Sequence, residues 1–266
     1  MTIKLELIHT PAAGAASSMP PLLFVHGAFS SASCWQQHFM PWFSARGYDC
    51  WALSFEGHGD SDGHAYLAAI SIDDYVGNLR QAIRQLPRPP IVIAHSMGGF
   101  VLQQYLTRHD LPGAVLLASV PPSGLAGSSM RLMTQAPELF MQLNLFQQGN
   151  YQPELNELRH MLFSDDADLA AVDWVAHHSQ TESQRAIMDM TLVPPFLQRR
   201  IAPLPNLVLG AAADQLISPQ DVTETAARFG STPEILPHIG HMMMLDNRWE
   251  QCAQRIETWL ADTTLE

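Results

Sequence analysis

Short apolar runs alternate along most of the chain with longer stretches in which apolar residues recur at helical spacing. The apolar runs predict β-strands, because each is short, apolar at successive positions and followed by turn residues. Strands that are apolar on both faces indicate a sheet covered on both sides, as a parallel sheet with crossover helices is. The predicted strands span residues 22–25, 48–53, 91–94, 114–118, 206–209 and 233–236.

Helical periodicity occupies the stretches between these strands, at residues 72–86, 98–108, 221–229 and 248–260. The alternation breaks once, between Gly124 and Arg200, where apolar residues keep their helical spacing and no strand pattern occurs. We therefore predict an α/β core domain formed by residues 1–123 and 201–266, with a helical cap at residues 124–200.

The composition indicates a globular protein and excludes several kinds of partner. Of the 266 residues, 47% are hydrophobic, and no apolar run approaches the roughly 20 residues of a membrane helix. Asp and Glu outnumber Lys and Arg by 26 to 14, giving a formal charge of −12. A surface this acidic repels phosphate backbones and anionic lipids, so we expect neither nucleic acid nor a membrane surface as partner.

The numbers and positions of the cysteines and lysines indicate a cellular compartment and exclude some kinds of catalysis. The three cysteines form no C-x-x-C pair, and the N-terminus lacks the apolar core of a signal peptide, so we expect a cytoplasmic location. Lys4 is the only lysine, which leaves no deeper candidate for Schiff-base or phosphate-loop chemistry. The histidines show neither an H-E-x-x-H pattern nor a Cys/His cluster, so no metal site is expected.

Ser96 is the first candidate for chemistry, because it joins a predicted buried strand to a predicted helix. Small residues flank it at Ala94, Gly98 and Gly99, as a sharp strand-to-helix turn requires. Such a turn lifts the serine Oγ clear of the sheet and points backbone N–H groups at the space above it. An ordinary helix N-cap serine is the alternative that this segment alone leaves open.

A serine hydroxyl needs a base and an oriented acid, and both have candidates at strand ends. His241 follows the last predicted strand, with Gly240 allowing a tight loop, and His238 is the second candidate. Asp214 follows the strand at 206–209, again at a carboxyl end. Asp221 and Asp246 are interpreted as helix-start residues only.

Several of these segments together resemble the α/β-hydrolase superfamily over nearly the whole chain. They are FVHGA at 24–28, GHGDS at 57–61, AHSMGG at 94–99, GAAAD at 210–214 and GH at 240–241. The resemblance implies a mostly parallel, roughly eight-stranded sheet with helices on both faces and a helical cap between strands six and seven. It also implies that the N–H groups of Ala28 and Met97 bind an oxyanion, while the His26 side chain only braces its turn.

The resemblance also excludes some reactions that members of this superfamily catalyse. Dehalogenases and epoxide hydrolases of this superfamily carry aspartate where this chain has Ser96, and the hydroxynitrile lyases rely on a pocket lysine. We therefore expect a serine hydrolase of carboxylic esters that needs neither a metal nor an organic cofactor. Carbon–carbon bond hydrolysis of vinylogous diketones and a non-enzymatic ligand receptor are the alternatives.

The substrate is expected to be a small apolar ester. Flexible methionines and aromatic residues suit an apolar pocket of irregular shape. Such side chains can equally pack the cap onto the core. The predicted binding residues are Phe29, Met130, Met133 and Met242.

Overall fold

One twisted sheet forms the centre of the molecule. The computed structural model describes residues 3–14, 17–147, 151–193 and 199–263. Within these ranges the sheet has the strand order β1-β3-β2-β4-β5-β6-β7, in which β1 is antiparallel to β3 and every other neighbouring pair is parallel. The strands are Leu7–Thr10 (β1), Leu22–Val25 (β2), Cys50–Leu53 (β3), Ile91–His95 (β4), Gly113–Leu117 (β5), Asn206–Ala211 (β6) and Glu234–Leu236 (β7).

Helices cover both faces of the sheet, as the apolar strands predicted. In β2, Leu22 and Phe24 enter one hydrophobic cluster, while Leu23 and Val25 enter the cluster on the opposite face. All residues of β2, β4 and β5 are buried. The predicted class, a mostly parallel α/β sheet between helical layers, is therefore confirmed.

The sheet has seven strands in the described residues rather than the roughly eight that the resemblance implied. Of these, β1 was not among the six apolar runs, because it lies at an edge and its residues are only partly buried or exposed. The helical insertion consequently follows the fifth strand, β5, rather than a sixth.

Eleven α-helices occur in the described part of the chain. Ser71 accepts a hydrogen bond from the Asp74 N–H at the start of α3, and α10 ends at Gly230 in a left-handed conformation. A short 3₁₀ segment spans His64–Ala69. The helices are Ser33–Gln36 (α1), Phe39–Ser44 (α2), Ile72–Gln85 (α3), Met97–Tyr105 (α4), Ala126–Gln135 (α5), Pro137–Gln147 (α6), Leu155–Leu162 (α7), Leu169–His178 (α8), Gln184–Thr191 (α9), Pro219–Phe229 (α10) and Trp249–Asp262 (α11).

The inserted helices α5–α9 pack directly onto the rest of the molecule. Leu158 and Val175 belong to the cluster on one face of the sheet, and Met190 belongs to the cluster on the other. Arg131 in α5 forms an ion pair with Asp221 in α10, with the guanidinium nitrogen 3.0 Å from the carboxylate oxygen. Helices α5–α9, called the cap below, therefore share their hydrophobic core with the sheet.

The three cysteines are buried and carry free thiols. Burial raises the pKa of Cys34 to about 12, although hydrogen bonds to the thiol act in the opposite direction. Burial also raises the pKa of Cys50 and Cys252. Of the helices in the described ranges, none has both the length and the apolar character that crossing a bilayer requires.

Candidate active site

Ser96 lies at the junction of β4 and α4, where the chain turns sharply. Its backbone adopts φ 50° and ψ −117°, a conformation that a residue with a side chain rarely holds. A Cβ at Gly98 would lie 2.4 Å from the His26 carbonyl oxygen, and one at Gly99 would lie 2.4 Å from Ser119 Oγ. Only glycine fits at either position, as the small-residue pattern predicted.

A chain of hydrogen bonds links Ser96 to His241 and Asp214. The Ser96 Oγ lies 3.1 Å from His241 Nε2, and His241 Nδ1 lies 2.8 Å from Asp214 Oδ2. The other carboxylate oxygen, Oδ1, accepts the backbone N–H groups of Leu216 and Ile217 at 2.8 and 2.9 Å. Because the buried carboxylate accepts from Nδ1–H, the imidazole presents an unprotonated Nε2 to the serine hydroxyl. The three residues predicted from separate strand ends therefore meet.

Two residues from different elements lie beside Ser96: Ala28 in the turn after β2, and Met97 at the start of α4. Ala28 and Met97 both line the space above Ser96. Met97 is the first residue of α4, so its N–H is one of those that a helix leaves without an intrahelical acceptor. The His26 ring holds this turn, since its Nδ1 lies 2.7 Å from the Gly27 oxygen and its Nε2 accepts the Phe55 N–H at 3.0 Å.

The His26 imidazole is neutral and structural. Burial and the neighbouring His58 ring lower the pKa of His26 to about 3. A ring with one nitrogen accepting and the other donating has its hydrogen-bonding capacity filled.

A cavity of about 400 Å³ lies above Ser96 and beneath the cap. Its walls are mainly apolar and include Phe29 and Met242 of the core with Leu132, Phe140 and Met161 of the cap. None of the described residues that line it is Asp, Glu, Lys or Arg. The serine hydroxyl therefore opens onto a largely apolar chamber.

Comparison with known proteins agrees with this fold. A sequence model of the α/β hydrolase family matches residues 22–255. The chain belongs to the α/β hydrolase family.

Relatives of this α/β hydrolase carry several different names. Over 110 residues it is 34% identical to the non-heme chloroperoxidase CPO-A1 of Kitasatospora aureofaciens, a match covering 38% of each chain and thus less than half of that relative. BpoC of Mycobacterium tuberculosis H37Rv, described as a candidate non-heme bromoperoxidase, shares the fold with a TM-score of 0.76 at 23% identity, covering 98% of this chain and 97% of the other. The esterase EaEST of Exiguobacterium antarcticum has a TM-score of 0.76 at 15% identity, covering 98% and 96%.

Two of the four predicted binding residues of this α/β hydrolase lie away from the cavity. Met130 and Met133 are 58% and 46% exposed, and neither lines the cavity wall. Both are on α5, where Ser128, Ser129 and Leu132 line the cavity while the two methionines are exposed to solvent. The prediction for Met130 and Met133 is therefore corrected, while Phe29 and Met242 do line the cavity.

The loop that carries His241 is held by residues whose importance the sequence did not reveal. The His95 ring donates from Nε2 to the His241 carbonyl oxygen at 2.9 Å. Burial, together with the neighbouring His241 ring, lowers the pKa of His95 well below its usual value. Since His95 directly precedes Ser96, one residue ties the serine turn to the histidine loop.

Asp246 anchors the same loop, which corrects its interpretation as a helix-start residue only. Its carboxylate is fully buried and accepts the Gly240 N–H at 3.0 Å and the Ser164 N–H and Oγ–H at 2.8 and 2.9 Å. The aspartate therefore binds the histidine loop to the cap. His238, the second candidate base, is exposed, whereas His241 is buried.

The described residues contain no group of three or more His, Cys, Asp or Glu side chains arranged to hold a metal ion.

Proposed function

We propose that this chain is a serine hydrolase that cleaves carboxylic esters of small apolar molecules without a cofactor. The observation that carries the proposal is the hydrogen-bonded chain from Ser96 through His241 to Asp214, set at the floor of an apolar cavity. In this arrangement a hydroxyl, a base and an oriented acid are within direct reach of one another.

Acylation uses each of these groups in turn. His241 Nε2 removes the Ser96 proton as Oγ attacks the ester carbonyl carbon, and Asp214 stabilises the imidazolium that forms. The carbonyl oxygen becomes an oxyanion, for which the N–H groups of Ala28 and Met97 are the proposed donors. Each such donor typically contributes about 10²–10³-fold to the rate.

Collapse of this intermediate completes acylation, and water then reverses the sequence. His241 gives its proton to the leaving alcohol, whose bond to the carbonyl carbon breaks and leaves an ester on Ser96 Oγ. Water, deprotonated by the same imidazole, attacks that ester and releases the carboxylic acid with the free serine.

The lining of the cavity supports neutral apolar substrates. Phe29 and Met242 are proposed to contact the substrate, because both lie on the cavity wall beside Ser96. A charged group on the substrate would lose its hydration without meeting a counter-charge from the described lining residues, which is unfavourable. The buried free thiols suit a reducing compartment, so we include a cytoplasmic location in the proposal.

Covalent labelling tests the proposal directly. A fluorophosphonate probe should label the protein on the peptide that contains Ser96, and Ser96→Ala should abolish both labelling and ester turnover. Ser44→Ala is the matched control, because Ser44 is another buried serine and its hydroxyl donates to the Pro11 carbonyl outside the cavity. Failure of the native protein to label would count decisively against a serine hydrolase.

A substrate panel separates the proposal from its alternatives. Esters of p-nitrophenol should be turned over, and a vinylogous diketone should not if ester hydrolysis is the reaction. Turnover of every ester far below the usual 1–10³ per second, with tight ligand binding, would favour a receptor.

Peracid formation is a second candidate, favoured by the sequence match to a chloroperoxidase. Hydrogen peroxide attacking the acyl group on Ser96 would release a peracid and the free serine, and the peracid would then oxidise halide in solution to hypohalous acid. Halogenation that needs peroxide, a carboxylic acid and an intact Ser96 would support this activity.

A further inference from the structure

A buried carboxylate from the cap lies outside the Ser96–His241–Asp214 chain. Glu182, between α8 and α9, has a side chain with no solvent exposure. Its Oε2 accepts His58 Nε2–H at 3.0 Å and the Phe29 N–H at 3.2 Å. Its Oε1 accepts the Tyr75 hydroxyl at 2.7 Å and the Ser183 N–H at 2.6 Å. Both oxygens are therefore fully occupied by donors.

Glu182 and His58 form a buried ion pair. The second ring nitrogen of His58, Nδ1, lies 3.1 Å from the Glu56 carbonyl oxygen, so both ring nitrogens face acceptors and both carry protons. Burial alone would lower the pKa of His58, but the charge and hydrogen bond of Glu182 raise it above its usual value. Burial alone would likewise raise the pKa of Glu182, but His58 and the other donors lower it.

Stability by itself does not explain this pair. Exchanging a buried ion pair for apolar side chains of similar volume is often neutral or stabilising, because two charges must be taken out of water. What an apolar contact cannot do is accept a particular backbone N–H. Here the N–H that Glu182 accepts belongs to the turn beside Ser96.

That turn is held in an unfavourable conformation. Phe29 has φ 63°, in the left-handed region that a residue with a side chain seldom adopts. Its N–H is held by Glu182, and its carbonyl oxygen accepts the Gln180 N–H at 3.0 Å. The Gln180 side chain in turn bonds the Gly57 oxygen at 2.8 Å and the Gly59 N–H at 3.0 Å. The cap segment 180–182 therefore fixes both backbone groups of Phe29.

We propose that Glu182 is a positioning residue for ester hydrolysis, fixing the Ala28–Phe29 peptide and through it the direction in which the Ala28 N–H points. The proposal rests on the proposed function, because it concerns the donor to the oxyanion. In this proposal the connection between α8 and α9 is a structural part of the oxyanion site as well as a wall of the cap.

Glu182→Gln is the variant of choice because it keeps the size of the side chain. Its amide has a single acceptor oxygen, which should stay with Tyr75 and Ser183, the donors that make the shorter bonds. The NH₂ group can then donate to a neutral His58, but it faces the Phe29 N–H, which loses its acceptor.

Tyr75→Phe is the matched control. It removes one donor from the opposite oxygen of the same carboxylate, keeps the ring stacked on Phe55, and leaves the Phe29 bond in place. A purely structural role for Glu182 predicts that both variants lose stability with little change in the reaction.

The decisive readout separates transition-state binding from ground-state binding. For Glu182→Gln we expect kcat on a p-nitrophenyl ester to fall about 10–100-fold, with KM within about threefold, as for partial loss of an oxyanion donor. Affinity for a trifluoromethyl ketone, which forms an oxyanion on Ser96, should fall by a similar factor, while affinity for the product alcohol should not change. Tyr75→Phe should keep both values within about threefold of the wild type.

The outcomes are distinguishable. The positioning role would be overturned if the wild type is active and Glu182→Gln keeps its kcat and its ketone affinity within about threefold of the wild type. Should Glu182→Gln fail to fold, Glu182→Asp replaces it, because the shorter side chain keeps the negative charge but withdraws the carboxylate from the Phe29 N–H. It should show the same selective loss of kcat and ketone affinity, and values within about threefold of the wild type would overturn the positioning role. A wild type that neither labels nor turns over esters would refute the proposed function itself.

Discussion

Replacing Asp214 with asparagine should trap His241 in the wrong tautomer. The Leu216 and Ile217 N–H groups hold the Oδ1 position at 2.8 and 2.9 Å, so the asparagine oxygen must stay there. Its NH₂ group then occupies the position of Oδ2, 2.8 Å from His241 Nδ1 in the native chain. Nδ1 must accept, and the ring proton moves to Nε2, where it points at Ser96.

The expected loss is about 10⁴-fold in kcat, the size seen when a triad histidine is held in this tautomer. At about 1.36 kcal/mol for each factor of ten, this corresponds to roughly 5.4 kcal/mol of lost transition-state stabilisation. Because asparagine keeps the volume and both backbone hydrogen bonds, Tm should change by only about 2 °C.

Initial rates on a p-nitrophenyl ester, at protein concentrations set by absorbance, measure this effect. Asp221→Asn is the control, since Asp221 is another buried carboxylate but bonds Ser218, Ser128 and Arg131 instead of His241. That variant should lose stability while kcat stays within about threefold. Asp214→Asn retaining more than about a tenth of wild-type kcat would refute the tautomer argument.

Three further predictions concern packing, pH and substrate. Gly240→Ala should lower Tm by about 2–12 °C and reduce activity, because its Cβ would lie 2.3 Å from the Phe163 carbonyl carbon, whereas Gly77→Ala, with no atom within 4 Å, should be neutral or stabilising. Because the pKa of His58 is raised in the folded state, the contribution of its ion pair to the free energy of unfolding is present below pH 6.5 and is lost as pH rises through the raised value. The Tm of the wild type should therefore fall above pH 6.5, and it should fall less steeply in Glu182→Gln. Equal slopes for the two proteins would contradict the ion pair. Each added acyl CH₂ should raise kcat/KM up to about fourfold until the cavity is filled, and a terminal carboxylate should reverse the gain; equal rates for charged and neutral esters would argue against an apolar site.

Local sequence patterns predicted the strands of the sheet closely. Strand β2 was predicted at its observed bounds, because a buried parallel strand is apolar at every position. Strand β3 begins at Cys50 rather than Tyr48, since the Tyr48 N–H donates to the carbonyl oxygen of Phe43 in α2. Strand β1 was not predicted, because an edge strand does not need a continuous apolar run.

Ser96, Asp214 and His241 were predictable because each follows a strand pattern and lies in or beside a predicted turn. The supporting residues were not, because their partners lie far away along the chain. Asp246 precedes a helix like many capping residues, yet it bonds Ser164 across 82 positions. Glu182 stands in a polar stretch typical of a solvated loop, and only the folded cap shows it to be buried beside His58.

The burial of all three native thiols has a practical consequence for testing whether the cap moves. With raised pKa values and no exposed sulfur, Cys34, Cys50 and Cys252 should stay unreacted with maleimides at neutral pH while the chain remains folded. A cysteine introduced at an exposed position on α5 or α9 would then accept a fluorophore selectively, and its signal would report whether the chamber opens during turnover.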